Sequence, residues 1–247
     1  MIRTAWFILN AVVVTPILSL VVIAGSLTGA REPLYDRIGR FWVGWLLRVS
    51  GVRVEARGLA NIATAQAQLL LSNHVSFFDV LALSHIVPKR YRFVGKQELT
   101  RVPFWGRAWQ AAGHVAIDRT DTQRAIKSLD RVAQLTREDQ RSIVMFPEGT
   151  RSATGELQPF KKGPFMLALH TGVPIVPVAV TGSRSILPKG SWRVRSGRII
   201  VRFGHPIDTT RYDAGSRDEL MARVHTELAA LLAGTGPEPD NDNVDHR

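Results

Sequence analysis

Hydrophobic and polar positions divide this chain into three stretches. From Thr4 to Ala30 no residue is charged, and Val, Ile and Leu dominate. At about 1.5 Å per residue, such a run in helical form spans the roughly 30 Å apolar core of a bilayer. A second run, Phe41-Trp42-Val43-Gly44-Trp45-Leu46-Leu47, sets interfacial aromatics among Arg37, Arg40 and Arg48. After Ser50 short apolar runs alternate with amphipathic stretches. Val52 to Ala56 alternates as a strand does, and Leu69–Leu71, Tyr91–Val94, His114–Ile117, Ser142–Phe146, Ile175–Val180 and Ile199–Phe203 read as further strands. Phe77–Val87, Gly163–Thr171 and Arg217–Leu232 read as helices. So does Asp121–Leu135, with apolar residues at 125, 126, 129, 132 and 133 and Asp121 as N-cap.

Strands alternating with helices predict an α/β fold, a mixed central sheet flanked by helices. An N-terminal membrane-attached helical segment precedes it. The expected organisation is residues 1–50 as membrane-anchoring helices, 51–233 as the α/β domain and 234–247, rich in Pro, Gly, Asp and Asn, as a disordered tail. Three readings of the N-terminus compete. A cleaved signal peptide has Arg3 and a small-residue site at Thr28-Gly29-Ala30, but its apolar region is usually only about 7–15 residues. A single transmembrane helix fits the length and would be kinked at Pro16. A pair of helices, one inserted and one lying in the interface, uses both runs.

Charge and composition narrow the chemistry. The 32 Lys+Arg against 21 Asp+Glu give a net +11, which calls for an anionic partner: nucleic acid, an anionic membrane surface or a phosphorylated substrate. No zinc-ligand spacing, helix-turn-helix or RNA-recognition signature is present, so no nucleic acid is expected. The absence of cysteine excludes disulfides, thiolate metal sites and a Cys nucleophile. No metal site or cofactor is expected, because no cluster of ligating residues stands near any candidate site.

One ionisable pair, His74 and Asp79, lies between the apolar runs of Leu69 to Leu83. In continuous helix the two would lie about 140° apart and could not meet. If instead the strand ends near Ser72 and a helix begins near Ser76, His74 sits in the turn and can fold back onto Asp79 in the first helical turn. Asp79 would then fix the ring tautomer and leave the other nitrogen as a general base. The alternative is a polar strand end and a helix-favouring carboxylate. No Gly-x-Ser-x-Gly occurs, which disfavours a serine hydrolase.

Later blocks decide between these. Ser142–Phe146 runs into Pro147-Glu148-Gly149-Thr150-Arg151, with Lys161 and Lys162 soon after. Gly113–Ile117 runs into Asp118-Arg119, and Lys96 follows the third strand. Several strand ends that each deliver a cation suit a phosphate. Together, Asn73-His74 with Asp79 five residues on, Ile117-Asp118-Arg119, Phe146-Pro147-Glu148-Gly149-Thr150-Arg151 and Val173-Pro174-Ile175-Val176-Pro177-Val178 resemble, in order and spacing, the glycerolipid acyltransferase family. They are most similar to its 1-acylglycerol-3-phosphate acyltransferases. Ala116 stands where that pattern usually has a larger apolar residue.

The resemblance implies transfer of an acyl chain from acyl-CoA or acyl-carrier protein to the free hydroxyl of a lysophospholipid, at the inner, cytoplasmic face of a membrane. It further implies His74 as base, Asp79 as its orienter, and Lys96, Arg119, Glu148, Gly149, Thr150 and Arg151 as binders of the glycerophosphate end. The sequence does not identify the oxyanion donor; a backbone N–H near the start of the first core helix is one candidate. Two other readings stand beside this one: the same chemistry on another acceptor such as a lyso-ornithine lipid, and a non-catalytic, basic membrane-binding protein. Phe77, Phe78, Phe165, Met166 and Leu167 are either core or the lining of an acyl channel.

Overall fold

Seven strands form one sheet in the order β1-β7-β6-β2-β5-β3-β4. The computed structural model describes residues 1–29, 32–63, 65–87, 91–118 and 122–235. Within them the strands are β1 (Val52–Arg57), β2 (Leu69–Ser72), β3 (Tyr91–Lys96), β4 (Val115–Ile117), β5 (Ser142–Met145), β6 (Ile175–Thr181) and β7 (Gly197–Phe203). The helices are α1 (Ile2–Leu27), α2 (Glu32–Ser50), α3 (Phe77–Ile86), α4 (Trp105–Ala111), α5 (Thr122–Arg137), α6 (Gly163–Thr171), α7 (Ser183–Ile186) and α8 (Arg217–Ala233). All strand pairs are parallel except β6 with β7, which makes the sheet mixed, as expected. The N-cap expected at Asp121 and the tail from residue 236 onward lie outside the described residues. Two helices, α4 and α7, were not foreseen; both are short and neither has a clean apolar period.

The sheet is buried on both faces, and successive residues divide between two cores as a period of two requires. Leu70 of β2, Val144 of β5 and Val176, Val178 and Val180 of β6 point to one core, shared with Phe78, Leu81 and Leu83 of α3. Leu69, Leu71, Ile143, Met145 and Ile175 point to the other, which is closed by Val132 and Ala133 of α5, Phe165 and Leu167 of α6, and Leu220 and Val224 of α8. The first core also takes Phe7 from α1 and Val43, Leu46 and Leu47 from α2, so the N-terminal helices cover one face of the sheet.

The helix α1 runs through Pro16 without interruption for 26 residues, about 39 Å, and is long and apolar enough to cross a membrane. Its polarity is inverted relative to a soluble helix. Thr4, Asn10 and Ser19 face the protein, while Trp6, Leu9, Val12, Val13, Ile17, Leu20 and Val21 are exposed. Two indole N–H groups of α2 join the pair: Trp45 donates to Asn10 Oδ1 at 3.1 Å and Trp42 to Thr15 Oγ1 at 2.9 Å. The exposed apolar stripe of α1 marks association with a membrane.

Candidate active site

The polar residues singled out above gather where parallel strands end, the usual place for a ligand in an open α/β sheet. Strands β2, β5 and β3 are neighbours, and their carboxyl ends lead into Asn73-His74, Phe146–Arg151 and Lys96. Asn73 is the first fixed point. Its amide donates to Val180 O at 2.9 Å and accepts from Val180 N–H at 2.7 Å, extending the β2–β6 pairing by one side chain. The chain then turns, and Ser76 caps α3: its hydroxyl accepts the Phe78 N–H, while Asp79 accepts the Ser76 N–H, completing a capping box.

That box brings the expected pair together. His74 Nδ1 lies 2.9 Å from Asp79 Oδ2, and the same oxygen accepts the N–H groups of Val75 (2.7 Å) and Ser76 (2.8 Å). An oxygen already taking two N–H donors at a helix N-terminus is an acceptor for the third contact as well. The proton therefore sits on Nδ1, and the lone pair of Nε2 is free. Asp79 is fully buried and His74 keeps 16% of its side-chain exposure, the fraction that reaches the cavity described below.

Three further contacts hold His74 in place. Its ring stacks on Phe146, with centroids 3.9 Å apart and planes 15° apart. Its N–H donates to Glu148 Oε1 at 2.6 Å, and its C=O accepts the Ser152 N–H at 2.7 Å. Glu148 completes this brace by accepting the Gln158 N–H at 3.1 Å through Oε2. Burial pushes its pKa up to about 6, against the opposing pull of the two backbone N–H groups. Glu148, expected from the sequence to meet substrate, is 2% exposed, stands behind the wall of the site and spends both oxygens on backbone.

The loop between them is a tight turn. Gly149 N–H returns to Phe146 O at 3.0 Å across Pro147 and Glu148, and Gly149 takes φ +77°, a conformation glycine adopts without steric cost. This turns Gly149, Thr150 and Arg151 into a cavity of about 520 Å³ that also takes in His74 and Lys96. Arg119 lies outside the described residues, although β4, which leads to it, is the next strand after β3. Lys161 and Lys162 are exposed and stand apart from the cavity lining.

The structure adds residues that sequence reasoning missed. Lys189 lines the cavity and its Nζ donates to Arg151 O at 2.7 Å. Its segment is fastened over the site, because Ser76 Oγ donates to Leu187 O at 2.7 Å. From His74 the cavity passes down a wall of rings: Phe146 to Phe93 at 6.4 Å, Phe93 to His114 at 6.0 Å, then Trp109 and Trp105. Thr15, Leu18 and Val22 of α1 and Ile38 and Trp42 of α2 close it from the side. No local signal marks these residues, because strands and helices far apart in sequence bring them together. Of the five residues weighed as channel or core, Phe77 lines the cavity. Phe78, Phe165 and Leu167 are buried in the two cores, and Met166 is exposed.

Similarity to known proteins identifies the family. The family profile named Acyltransferase matches residues 53–181. A 1-acyl-sn-glycerol-3-phosphate acyltransferase of Salmonella typhimurium is 32% identical over 225 residues, which cover 90% of this chain and 91% of that protein. One from Cocos nucifera is 32% identical over 192 residues, or 78% of this chain, but the match spans only 61% of the plant protein's length. The crystal structure of the 1-acyl-sn-glycerophosphate acyltransferase PlsC of Thermotoga maritima shares the fold, with a TM-score of 0.80 at 23% identity over 94% of each chain.

Proposed function

Because this chain belongs to the acyltransferase family, we propose that it transfers a fatty acyl group from a thioester, acyl-CoA or acyl-carrier protein, to the free hydroxyl of 1-acylglycerol-3-phosphate, giving phosphatidic acid. The observation that carries the reading is the 2.9 Å contact of His74 Nδ1 with Asp79 Oδ2, with His74 lining a cavity that takes in both cations and aromatic rings. That is the shape of a molecule with a phosphate at one end and a chain at the other. His74 Nε2 takes the proton of the acceptor hydroxyl as its oxygen attacks the thioester carbonyl, and the Asp79 carboxylate stabilises the imidazolium. The C–O bond forms, the C–S bond breaks, and the proton passes from Nε2 to the departing thiolate.

Arg151, Lys96 and Arg119 are the proposed phosphate binders, with Gly149 and Thr150 shaping the turn and Glu148 holding the base rather than the substrate. Of the amides of residues 75 to 78, those of Val75, Ser76 and Phe78 are already bonded, which leaves the Phe77 N–H for the developing oxyanion.

The N-terminal helices supply the second substrate laterally. Both ends of α1 are tied to the body: Thr4 exchanges hydrogen bonds with Val194, Arg3 donates to Ser50 O at 3.0 Å, and Val22 packs with Tyr35 and Ala108. A helix held along its whole length presents its apolar stripe sideways and lies in the interface rather than standing upright through the bilayer. Residues 1–50 are then the attaching part and 51–233 the catalytic part, at the cytoplasmic face, where thioester donors are made.

Purified protein in lipid micelles, given paired thioester donors and lysophosphatidate, should yield phosphatidic acid by mass spectrometry. His74→Ala, shown to be folded by circular dichroism, should lose about 10²–10⁴ in turnover. Turnover near that of the unmodified protein would remove His74 as the base.

A further inference from the structure

The wall of rings includes a side chain that the proposed transfer leaves unused. His114 stands just before β4, and its Nδ1 accepts the Phe93 N–H of β3 at 3.0 Å. With Nδ1 committed as an acceptor, the ring proton sits on Nε2, which is therefore a donor. Burial, reinforced by nearby Arg92, lowers the pKa of His114 to about 3, so this neutral tautomer persists across the physiological range. The ring is held rigidly. It stacks on Trp109, centroids 5.1 Å and planes 25° apart, and meets Phe93 at 6.0 Å.

His114 lines the same cavity as His74, and its Nε2 has no hydrogen-bond partner among the described residues. The rings packed against it, Phe93 and Trp109, carry no side-chain acceptor. An alkyl chain covering such a donor leaves a hydrogen bond unmade, whereas a chain with an oxygen at that depth satisfies it. A site built around a hydrogen bond rejects an analogue that lacks the partner far more strongly than an apolar pocket rejects one extra group.

We propose that His114 is a specificity-determining residue of the cavity, selecting aliphatic chains that carry an oxygen acceptor, a hydroxyl, oxo or ester oxygen, over matched saturated chains. This rests on the acyl-transfer reading above. The oxygen comes either from the transferred acyl group or from the ester of the acceptor's own chain, and the two sources separate experimentally.

The full-length protein in micelles is assayed for kcat/KM with two sets of substrates. One set pairs saturated acyl thioesters with chains of equal length bearing a hydroxyl at successive carbons. The other pairs ester-linked with ether-linked lysophosphatidate, which lacks the carbonyl oxygen. We expect at least one pair to differ by about tenfold or more in favour of the oxygenated member. His114→Phe should bring that ratio to about one. His114→Asn, which keeps an acceptor for the Phe93 N–H and a donor for the lumen, should restore most of it. A response in the first set assigns the oxygen to the donor chain, and in the second to the acceptor. Equal rates within every pair for the unmodified protein would overturn the proposal whether or not the variants fold, while leaving acyl transfer standing. Failure to acylate with any pair would overturn both.

Discussion

Replacing Asp79 by Asn tests the core of the mechanism with the smallest change of shape. Asp79 Oδ2 carries three contacts, from His74 Nδ1 at 2.9 Å and the N–H groups of Val75 and Ser76 at 2.7 and 2.8 Å. If the asparagine oxygen takes that place, all three survive but the charge does not. Its NH2 then occupies the position of Oδ1, which is buried and has no hydrogen-bond partner. If the amide turns round, its NH2 faces two backbone donors and forces the His74 proton onto Nε2, which removes the base. The first orientation therefore dominates, and the main loss is electrostatic. A full charge on the ring 2.9 Å from the carboxylate is stabilised by about 6 kcal/mol at an effective dielectric of about 20, an upper bound that corresponds to ~10⁴ in rate.

The assay is release of free thiol from the donor, with kcat and KM determined for each substrate. Turnover should fall by about 10²–10⁴. Both KM values should stay within about threefold, because Asp79 is absent from the cavity lining. The buried NH2 should also lower stability by about 1–3 kcal/mol, seen as a lower melting temperature. A folded Asp79→Asn protein turning over within tenfold of the unmodified one would refute the claim that the carboxylate stabilises an imidazolium.

Arg151→Gln should raise KM for lysophosphatidate by about 10- to 100-fold, the loss of one charge-assisted phosphate contact. Turnover of a neutral monoacylglycerol should change little, so equal losses on both acceptors would show that Arg151 does not read the phosphate. Glu148 offers a test by pH. Its pKa is raised from an ordinary 4.5 to about 6, so between those values the folded protein binds more protons than the unfolded chain. The stability this group contributes is full below pH 4.5 and is lost as pH rises through about 6, on the order of 1 kcal/mol. Denaturant titrations across this range should show that fall in the unmodified protein relative to Glu148→Gln, and parallel curves for the two would contradict the assignment.

The Asp79 contact was partly legible before any coordinates: a Ser three residues ahead of an Asp, after an apolar strand, allows a cap that leaves His74, in the turn before it, able to fold back onto the acid, and the later motif blocks favoured that over a polar strand end. Glu148 shows where such reading stops. Its motif marks it as part of the site, but whether a carboxylate faces substrate or braces the backbone depends on what lies behind it, and here that is the N–H of His74, 74 residues away.

The sequence by itself determined the element types apart from the short α4 and α7, the strand ends that carry His74, Lys96 and Arg151, and a first helix apolar enough for a bilayer, since each rests on local periodicity or on chemistry within one turn. The tertiary structure alone decided the order β2-β5-β3 that sets those ends side by side, and the packing of α1 and α2 as walls of the cavity. It also put Lys189 over Arg151 and the rings of Phe93, Trp109 and His114 along one passage. The reason is one of range. Periodicity is written in neighbours three or four positions apart, whereas a cavity is lined by whatever long-range packing brings to its edge.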